Sequence, residues 1–283
     1  MKSIKYYHIF LVFFTFFISC KKENNTEKTP ADEVAGYNKI QEFTQGDYTF
    51  YLYKSDTGIL KTGYNEVYIQ LKNNATGKYV EDANLSWKPL MHMTSMSHAC
   101  PYSAIQKVEN TKTLYKGYFI FIMASNDMEY WEITYDYING SDTIVEAASR
   151  VTVVQSAKVR YKNFTGSDNS KYFLALVNPS SPKVGTNEIT AYLYKMVDML
   201  TFIPVENYTI QIDPRMPDMD NHTSPNNTSL TYNASIYKGT LNLTMTGYWK
   251  INLVVLDASN TIIKGEALTG KVTASSIYFE IEF

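Results

Sequence analysis

Residues 63–71 read Gly63-Tyr64-Asn65-Glu66-Val67-Tyr68-Ile69-Gln70-Leu71, and residues 185–193 read Gly185-Thr186-Asn187-Glu188-Ile189-Thr190-Ala191-Tyr192-Leu193. Each stretch opens with Gly-x-Asn-Glu and then places apolar side chains at every second position. A period of two is the pattern of a β-strand that buries one face. The two stretches therefore indicate a repeated unit built from strands.

The repeat is carried by further landmarks that recur in the same order. A Tyr-Lys-Gly triplet is followed at a fixed distance by a methionine and then by a Tyr-Trp pair. A repeat of this length in a chain of 283 residues predicts two domains, at 41–165 and 166–283. The landmarks are Tyr115–Gly117, Met123 and Tyr130-Trp131 in the first copy, and Tyr237–Gly239, Met245 and Tyr248-Trp249 in the second.

Both copies are rich in Tyr, Val, Ile, Thr and Phe, and turn signals such as Thr57-Gly58, Thr76-Gly77 and Asn139-Gly140 interrupt them. No convincing amphipathic helix is present. Short strands without helical crossovers favour antiparallel sheets packed face to face. The sequence thus predicts an all-β fold of two tandem immunoglobulin-like antiparallel β-sandwich domains.

The N-terminus carries Lys2 and Lys5, then an apolar run from Ile9 to Ile18, then Ser19-Cys20. The run is too short for a spanning helix of about twenty residues and is typical of a targeting segment. It resembles the lipobox of bacterial lipoproteins, which implies a signal peptide over 1–20 and a membrane anchor through acylated Cys20. Lysine rather than aspartate after the cysteine implies an outer-membrane lipoprotein, facing the periplasm or the outside. Cleavage by an ordinary signal peptidase is the alternative.

Residues 21–40 are polar and charged and are predicted to form a flexible tether. With Cys20 acylated, Cys100 is the only other cysteine of the chain. An intrachain disulfide is then impossible, and the fold must depend on its apolar core.

Every histidine beyond residue 20 lies in one of two methionine clusters. Thioether sulfur suits Cu(I), and imidazole suits both Cu(I) and Cu(II), so the clusters predict copper binding. The surrounding Ser, Thr, Asp and Pro residues are unlike a buried strand. The candidate metal ligands are Met91, His92, Met93, Met96, His98 and Cys100 in the first cluster, and Met216, Met219 and His222 in the second.

Packing is the alternative for each of these residues, because methionine commonly fills gaps in cores and a free cysteine behaves as a small apolar residue. The repeated Met123 and Met245 are interpreted first as core residues, and as copper ligands if they reach the clusters. Met196 and Met199 are interpreted as packing or loop residues. If the first cluster were one extended strand, His92, Met96, His98 and Cys100 would share a face. The first cluster has more soft donors, so it is expected to bind copper more tightly.

The second cluster reads Met216-Pro217-Asp218-Met219-Asp220-Asn221-His222 and is followed by Tyr237-Lys238-Gly239 and Gly247-Tyr248-Trp249. This series resembles the YtkA-like and FixH-like group of small exported domains, over 185–257 closely and over 63–137 more loosely. The resemblance implies a tandem lipoprotein of immunoglobulin-like domains with a role in copper supply or tolerance. The predicted partners are the membrane, through the anchor on Cys20, and a copper donor or acceptor protein.

Other classes of function find less support in the sequence. No nucleophile elbow, phosphate-binding loop or zincin motif is present, so an enzyme is not expected. The net charge of −2 gives no basic stripe for nucleic acid. The alternative function is a cell-surface interaction module for a protein or glycan, because the chain has 24 tyrosines and tyrosine is favoured at interfaces.

Overall fold

A computed structural model describes residues 33–139 and 142–283. The expected signal peptide, the acylation site Cys20 and the tether as far as residue 32 lie outside these ranges. Within them, no helix is long and apolar enough to cross a membrane.

The described residues of the first half form twelve strands, and within them the strand pairs are antiparallel except for the short pair β3–β12. Its strands are β1 (Asn38–Gln45), β2 (Tyr48–Lys54), β3 (Leu60–Lys61), β4 (Gly63–Asn73), β5 (Lys78–Tyr79), β6 (Asn84–His92), β7 (Ser97–His98), β8 (Gln106–Lys107), β9 (Tyr115–Phe121), β10 (Tyr130–Asn139), β11 (Asp142–Val151) and β12 (Val153–Val154).

The second half contains eleven strands and one turn of 3-10 helix at Pro217–Met219. Its strands are β13 (Tyr161–Thr165), β14 (Lys171–Asn178), β15 (Gly185–Met196), β16 (Phe202–Pro204), β17 (Thr209–Met216), β18 (His222–Thr223), β19 (Thr228–Asn233), β20 (Ile236–Leu243), β21 (Tyr248–Leu256), β22 (Ile262–Gly265) and β23 (Tyr278–Glu282).

The two halves repeat one strand order. In the first half, the two larger sheets run β1-β2-β4-β9-β8 and β11-β10-β6-β7. In the second half, β13-β14-β15-β20-β19 repeats the first order, β18-β17-β21 repeats the second, and β22 and β23 pair with β21 in the place of β11. Pairing of β19 with β17 joins the two layers of the second half into one sheet. The predicted all-β fold with tandem antiparallel sandwiches is confirmed.

Strand β13 lies on the first-half side of the boundary expected at residues 165 and 166. It nevertheless pairs along its whole length with β14, from Tyr161 opposite Ala175 to Thr165 opposite Lys171. Its backbone hydrogen bonds therefore belong to the sheet of the second half.

Each half encloses its own apolar core around a tryptophan of the repeat. Trp131 and Trp249 are fully buried. Trp131 donates its indole N–H to the carbonyl oxygen of Met123 at 2.9 Å, and Trp249 donates to that of Met245 at 3.0 Å. A buried N–H needs a partner. In both halves the backbone carbonyl of the methionine landmark satisfies the indole N–H of the Tyr-Trp landmark.

The halves meet through a patch rich in tyrosine. Ile120 of β9 packs with Phe173 and Ala175 of β14. Tyr118 and Tyr194 share a hydrogen bond of 2.6 Å between their hydroxyl groups. This contact positions the β15–β16 hairpin of the second half beside the end of β9 in the first.

Candidate metal centre

The first methionine cluster forms a hairpin. The chain reverses between Met93 and Met96, where the Met93 N–H donates to the Met96 carbonyl oxygen at 3.0 Å. Met91 on β6 consequently pairs with His98 on β7, and both side chains are buried. The cluster is therefore not one extended strand, and the face that His92, Met96, His98 and Cys100 would share in such a strand is not formed.

The ring of His98 is held in one orientation by the backbone of the next residue, Ala99. Its Nδ1 lies 2.8 Å from the carbonyl oxygen of Ala99, and a carbonyl oxygen can only accept, so Nδ1 carries the proton. In the neutral ring this leaves the lone pair on Nε2. That Nε2 lies 3.3 Å from the thioether sulfur of Met123. Two lone-pair donors thus face each other.

Met123 reaches His98 because Trp131 fixes the end of β9. The indole hydrogen bond to the Met123 carbonyl holds the backbone, and the rings of His98 and Trp131 pack nearly perpendicular to each other with centroids 5.5 Å apart. His98, Met123 and Trp131 therefore form one packed unit, in which the backbone of Met123 is fixed by the indole hydrogen bond.

His98 and Met123 open onto a cleft of about 330 Å³ between the two halves. The opposite wall comes from β13, β14 and the β15–β16 hairpin, and it contains two further methionines, Met196 and Met199. The lining residues are His98, Ile122, Met123, Asn163, Phe164, Thr165, Lys171, Tyr172, Phe173, Met196, Met199 and Phe202.

Met196 and Met199 were missed as candidate site residues from the sequence. The available signal was their position in Lys195-Met196-Val197-Asp198-Met199-Leu200, where two methionines stand among polar and charged residues. Nothing in the sequence alone indicates that this hairpin faces His98, because the contact depends on how the two halves pack.

The donor set of the cleft is neutral. The side chains that line it include one imidazole and three thioethers, with no carboxylate or thiolate and with the cation of Lys171. Across the described ranges, no group of three or more His, Cys, Asp or Glu residues is arranged to hold a metal ion.

Other members of the first cluster lie outside the cleft. His92 stacks on Tyr130 and its Nε2 lies 3.3 Å from a carboxylate oxygen of Glu132. Met96 is 51% exposed at the hairpin turn, and Met93 is half-buried against the first core. Met91 packs within that core as the cross-strand neighbour of His98.

Cys100 is also separate from the cleft. It is completely buried in the first core, and burial raises the pKa of its thiol well above the ordinary value of 9.0. A protonated thiol is a poor metal ligand, because the thiolate is the form that binds. Its surroundings match the alternative interpretation from the sequence, a small apolar core residue.

The second cluster repeats the pairing of the first without a covering wall. Met216 is buried and pairs with His222, as Met91 pairs with His98. His222 is exposed and its Nε2 lies 3.4 Å from the Thr244 hydroxyl. Met219 is 51% exposed and Met245 is half-buried against the second core. The second cluster is therefore open to solvent.

Fold and site together describe an all-β chain of two sandwiches with a thioether-lined cleft between them. Residues 167–254, within the second half, match the model of the YtkA-like family. A solved structure titled as FdeC, an adhesin of Escherichia coli, is similar with 14% identity over 81% of each chain and a TM-score of 0.24. No curated relative matches the chain.

Proposed function

We propose that this chain is an exported, lipid-anchored copper-binding protein that takes part in copper supply or sequestration and has no enzymatic activity. His98 and Met123 form the core of its metal site. The observation that carries the proposal is the 3.3 Å contact between His98 Nε2 and Met123 Sδ, with the proton of the neutral ring on Nδ1.

That separation suits two donors that share one ion. Bonds of about 2.0 Å to imidazole nitrogen and about 2.3 Å to sulfur, the lengths seen at zinc, span about 3.3 Å when they meet at roughly 100°. Without a cation between them, the lone pairs of the nitrogen and the sulfur do not attract each other, so the contact itself adds little stability. A bound soft ion turns the contact into a chelate.

The neutral donor set favours Cu(I) over Cu(II). The free energy of removing an ion from water grows with the square of its charge, so a divalent ion loses about four times as much hydration energy as a monovalent one. No anionic side chain lines the cleft to offset that loss, and Lys171 adds a positive charge. Thioether sulfur also prefers Cu(I).

The site is tested by competition with a chromogenic Cu(I) chelator on the purified full chain. His98→Ala and Met123→Leu should each lower the Cu(I) affinity about tenfold or more. The matched controls are His222→Ala and Met245→Leu, the same landmarks in the second half, and they should leave the tighter site unchanged. Absence of measurable Cu(I) binding by the wild-type chain would overturn the proposal.

The match of residues 167–254 to the YtkA-like family supports an exported sandwich module. It covers the open second cluster rather than the cleft residues of the first half. We propose accordingly that Met216, Met219 and His222 form a weaker second site. The exposure of His222 and Met219 suits brief exchange of copper with a donor or acceptor protein.

The competing interpretation as an interaction module began from the abundance of tyrosine. The structure places several of these tyrosines, among them Tyr64, Tyr118, Tyr192 and Tyr194, in the patch between the two halves. There they stack on one another, with the Tyr118 and Tyr192 centroids 4.6 Å apart. Their role in joining the halves weakens the argument for an external partner.

A further inference from the structure

The two walls of the cleft come from different halves of the chain. His98 and Met123 belong to the first half, and Met196 and Met199 belong to the β15–β16 hairpin of the second. The sequence offers no reason to group these four residues, since 73 positions separate even Met123 from Met196. Their common feature is that all four carry soft donor atoms and line one cavity.

The hairpin is fixed to the first half at the metal site itself. The N–H of Ala99, the residue after His98, donates to the carbonyl oxygen of Met199 at 2.9 Å. Met196 packs into the apolar patch between the halves with Phe173 and Tyr194. The backbone positions of both methionines are thus set relative to His98 by one hydrogen bond and one packing contact.

The corresponding hairpin of the first half provides an internal comparison. Strands β4 and β5 occupy the place of β15 and β16, and their connection reads Asn74-Ala75-Thr76-Gly77. It contains no methionine. The repeat therefore does not require sulfur in this hairpin, and the two methionines occur only in the copy that faces His98.

Packing alone explains Met199 poorly. Its side chain is 39% exposed, and the neighbouring Val197 and Leu200 are 60% and 59% exposed. A methionine that fills a gap in a core is normally enclosed by other side chains. Here the thioether lies at the rim of a cleft, where it remains accessible to an ion.

We infer that Met196 and Met199 complete the metal site, so that a single Cu(I) ion, or its redox-stable analogue Ag(I), is bound by residues of both halves. This inference rests on the proposed function of the His98–Met123 pair. Binding then links the β15–β16 hairpin to the first half, and the affinity of the site depends on the packing between the halves.

The test is titration of the full chain with Ag(I), with the methionine methyl groups labelled with ¹³C. The methyl resonances of Met123, Met196 and Met199 should shift on binding. The double variant Met196→Leu/Met199→Leu should lose about tenfold or more in Ag(I) affinity. Leucine retains most of the volume of methionine, so the fold is preserved. The control, Met128→Leu, replaces a methionine that is 71% exposed and lies outside both proposed sites, and it should bind Ag(I) as the wild type does.

Three outcomes separate the two proposals. Loss of affinity in the hairpin variant, with an unchanged urea midpoint, supports both. If His98→Ala and Met123→Leu lose affinity while the hairpin variant remains within twofold of the wild type, the inference is overturned and the proposed function stands. If the wild-type chain binds no Ag(I), the proposed function fails and the inference fails with it.

Discussion

Trp131 donates its indole N–H to the backbone carbonyl oxygen of Met123 at 2.9 Å, and both residues contact His98. Trp249 and Met245 repeat the hydrogen bond in the second half at 3.0 Å. The same hydrogen bond therefore occurs in two different environments. In the first half it lies beside a covered cleft, and in the second half beside an open surface. Comparing the two tryptophans separates a structural role from a role in metal binding.

Replacing Trp131 by phenylalanine should lower the free energy of unfolding by about 1–3 kcal/mol, because the Met123 carbonyl loses its buried partner. Trp249→Phe should have a similar effect on stability. Only Trp131→Phe should also weaken Cu(I) binding, by about tenfold, because it loosens the methionine that faces His98. Urea denaturation and chelator competition measure the two effects. Equal loss of affinity in both variants would contradict the assignment of the site to the first half.

Burial of the Cys100 thiol should make the protein less stable as the pH rises above about 9. Burial raises the pKa of the folded thiol, so the folded state keeps its proton while the unfolded thiol releases it above about 9.0. The stabilisation is therefore complete below that pH and decreases as the pH rises. Between pH 9 and 10, wild type should lose up to about 1.4 kcal/mol per pH unit relative to Cys100→Ala.

The Cys100→Ala variant retains the buried tyrosines with raised pKa values, so their titration cancels in the comparison. Its Cu(I) affinity should equal that of the wild type, since Cys100 lies outside the cleft. A tenfold loss of Cu(I) affinity in Cys100→Ala would show that Cys100 is a metal ligand.

Gly239, the glycine of the second Tyr-Lys-Gly landmark, has no room for a larger side chain. A Cβ at Gly239 would lie 2.9 Å from the carbonyl oxygens of Thr228 and Ser229, which belong to the backbone and cannot rotate away. Gly239→Ala should therefore lower stability by about 1–3 kcal/mol through overpacking. The control is Gly270→Ala, where nothing lies within 4 Å of the new Cβ and little change is expected. Thermal unfolding followed by circular dichroism compares the two.

Cys20 remains a prediction from the sequence, because it lies outside the described residues. Cys20→Ser should abolish acylation and release the chain from the membrane fraction. Cys100→Ser is the control and should remain membrane-bound. Incorporation of a labelled fatty acid measures both, and continued labelling of Cys20→Ser would exclude the lipobox.

The fold was largely predictable, because the alternation beginning at Gly63 and Gly185 reports which strand faces are buried and the repeated landmarks report the duplication. The site was only partly predictable. His98 and Met123 could be selected by residue type. Which side chains of the first cluster point inward depends on the turn at Met93–Met96, and the local sequence does not show where that turn places each side chain. Met196 and Met199 depend on packing between the halves, which arises from contacts distant in sequence such as that between Tyr118 and Tyr194.

The most direct measurement is anomalous diffraction at the copper edge from crystals of the chain loaded with Cu(I) under reducing conditions. The proposed function predicts a strong peak within bonding distance of both His98 Nε2 and Met123 Sδ, in the cleft between the halves. Copper found only at Met219 and His222, or bound nowhere in the crystal, would contradict it.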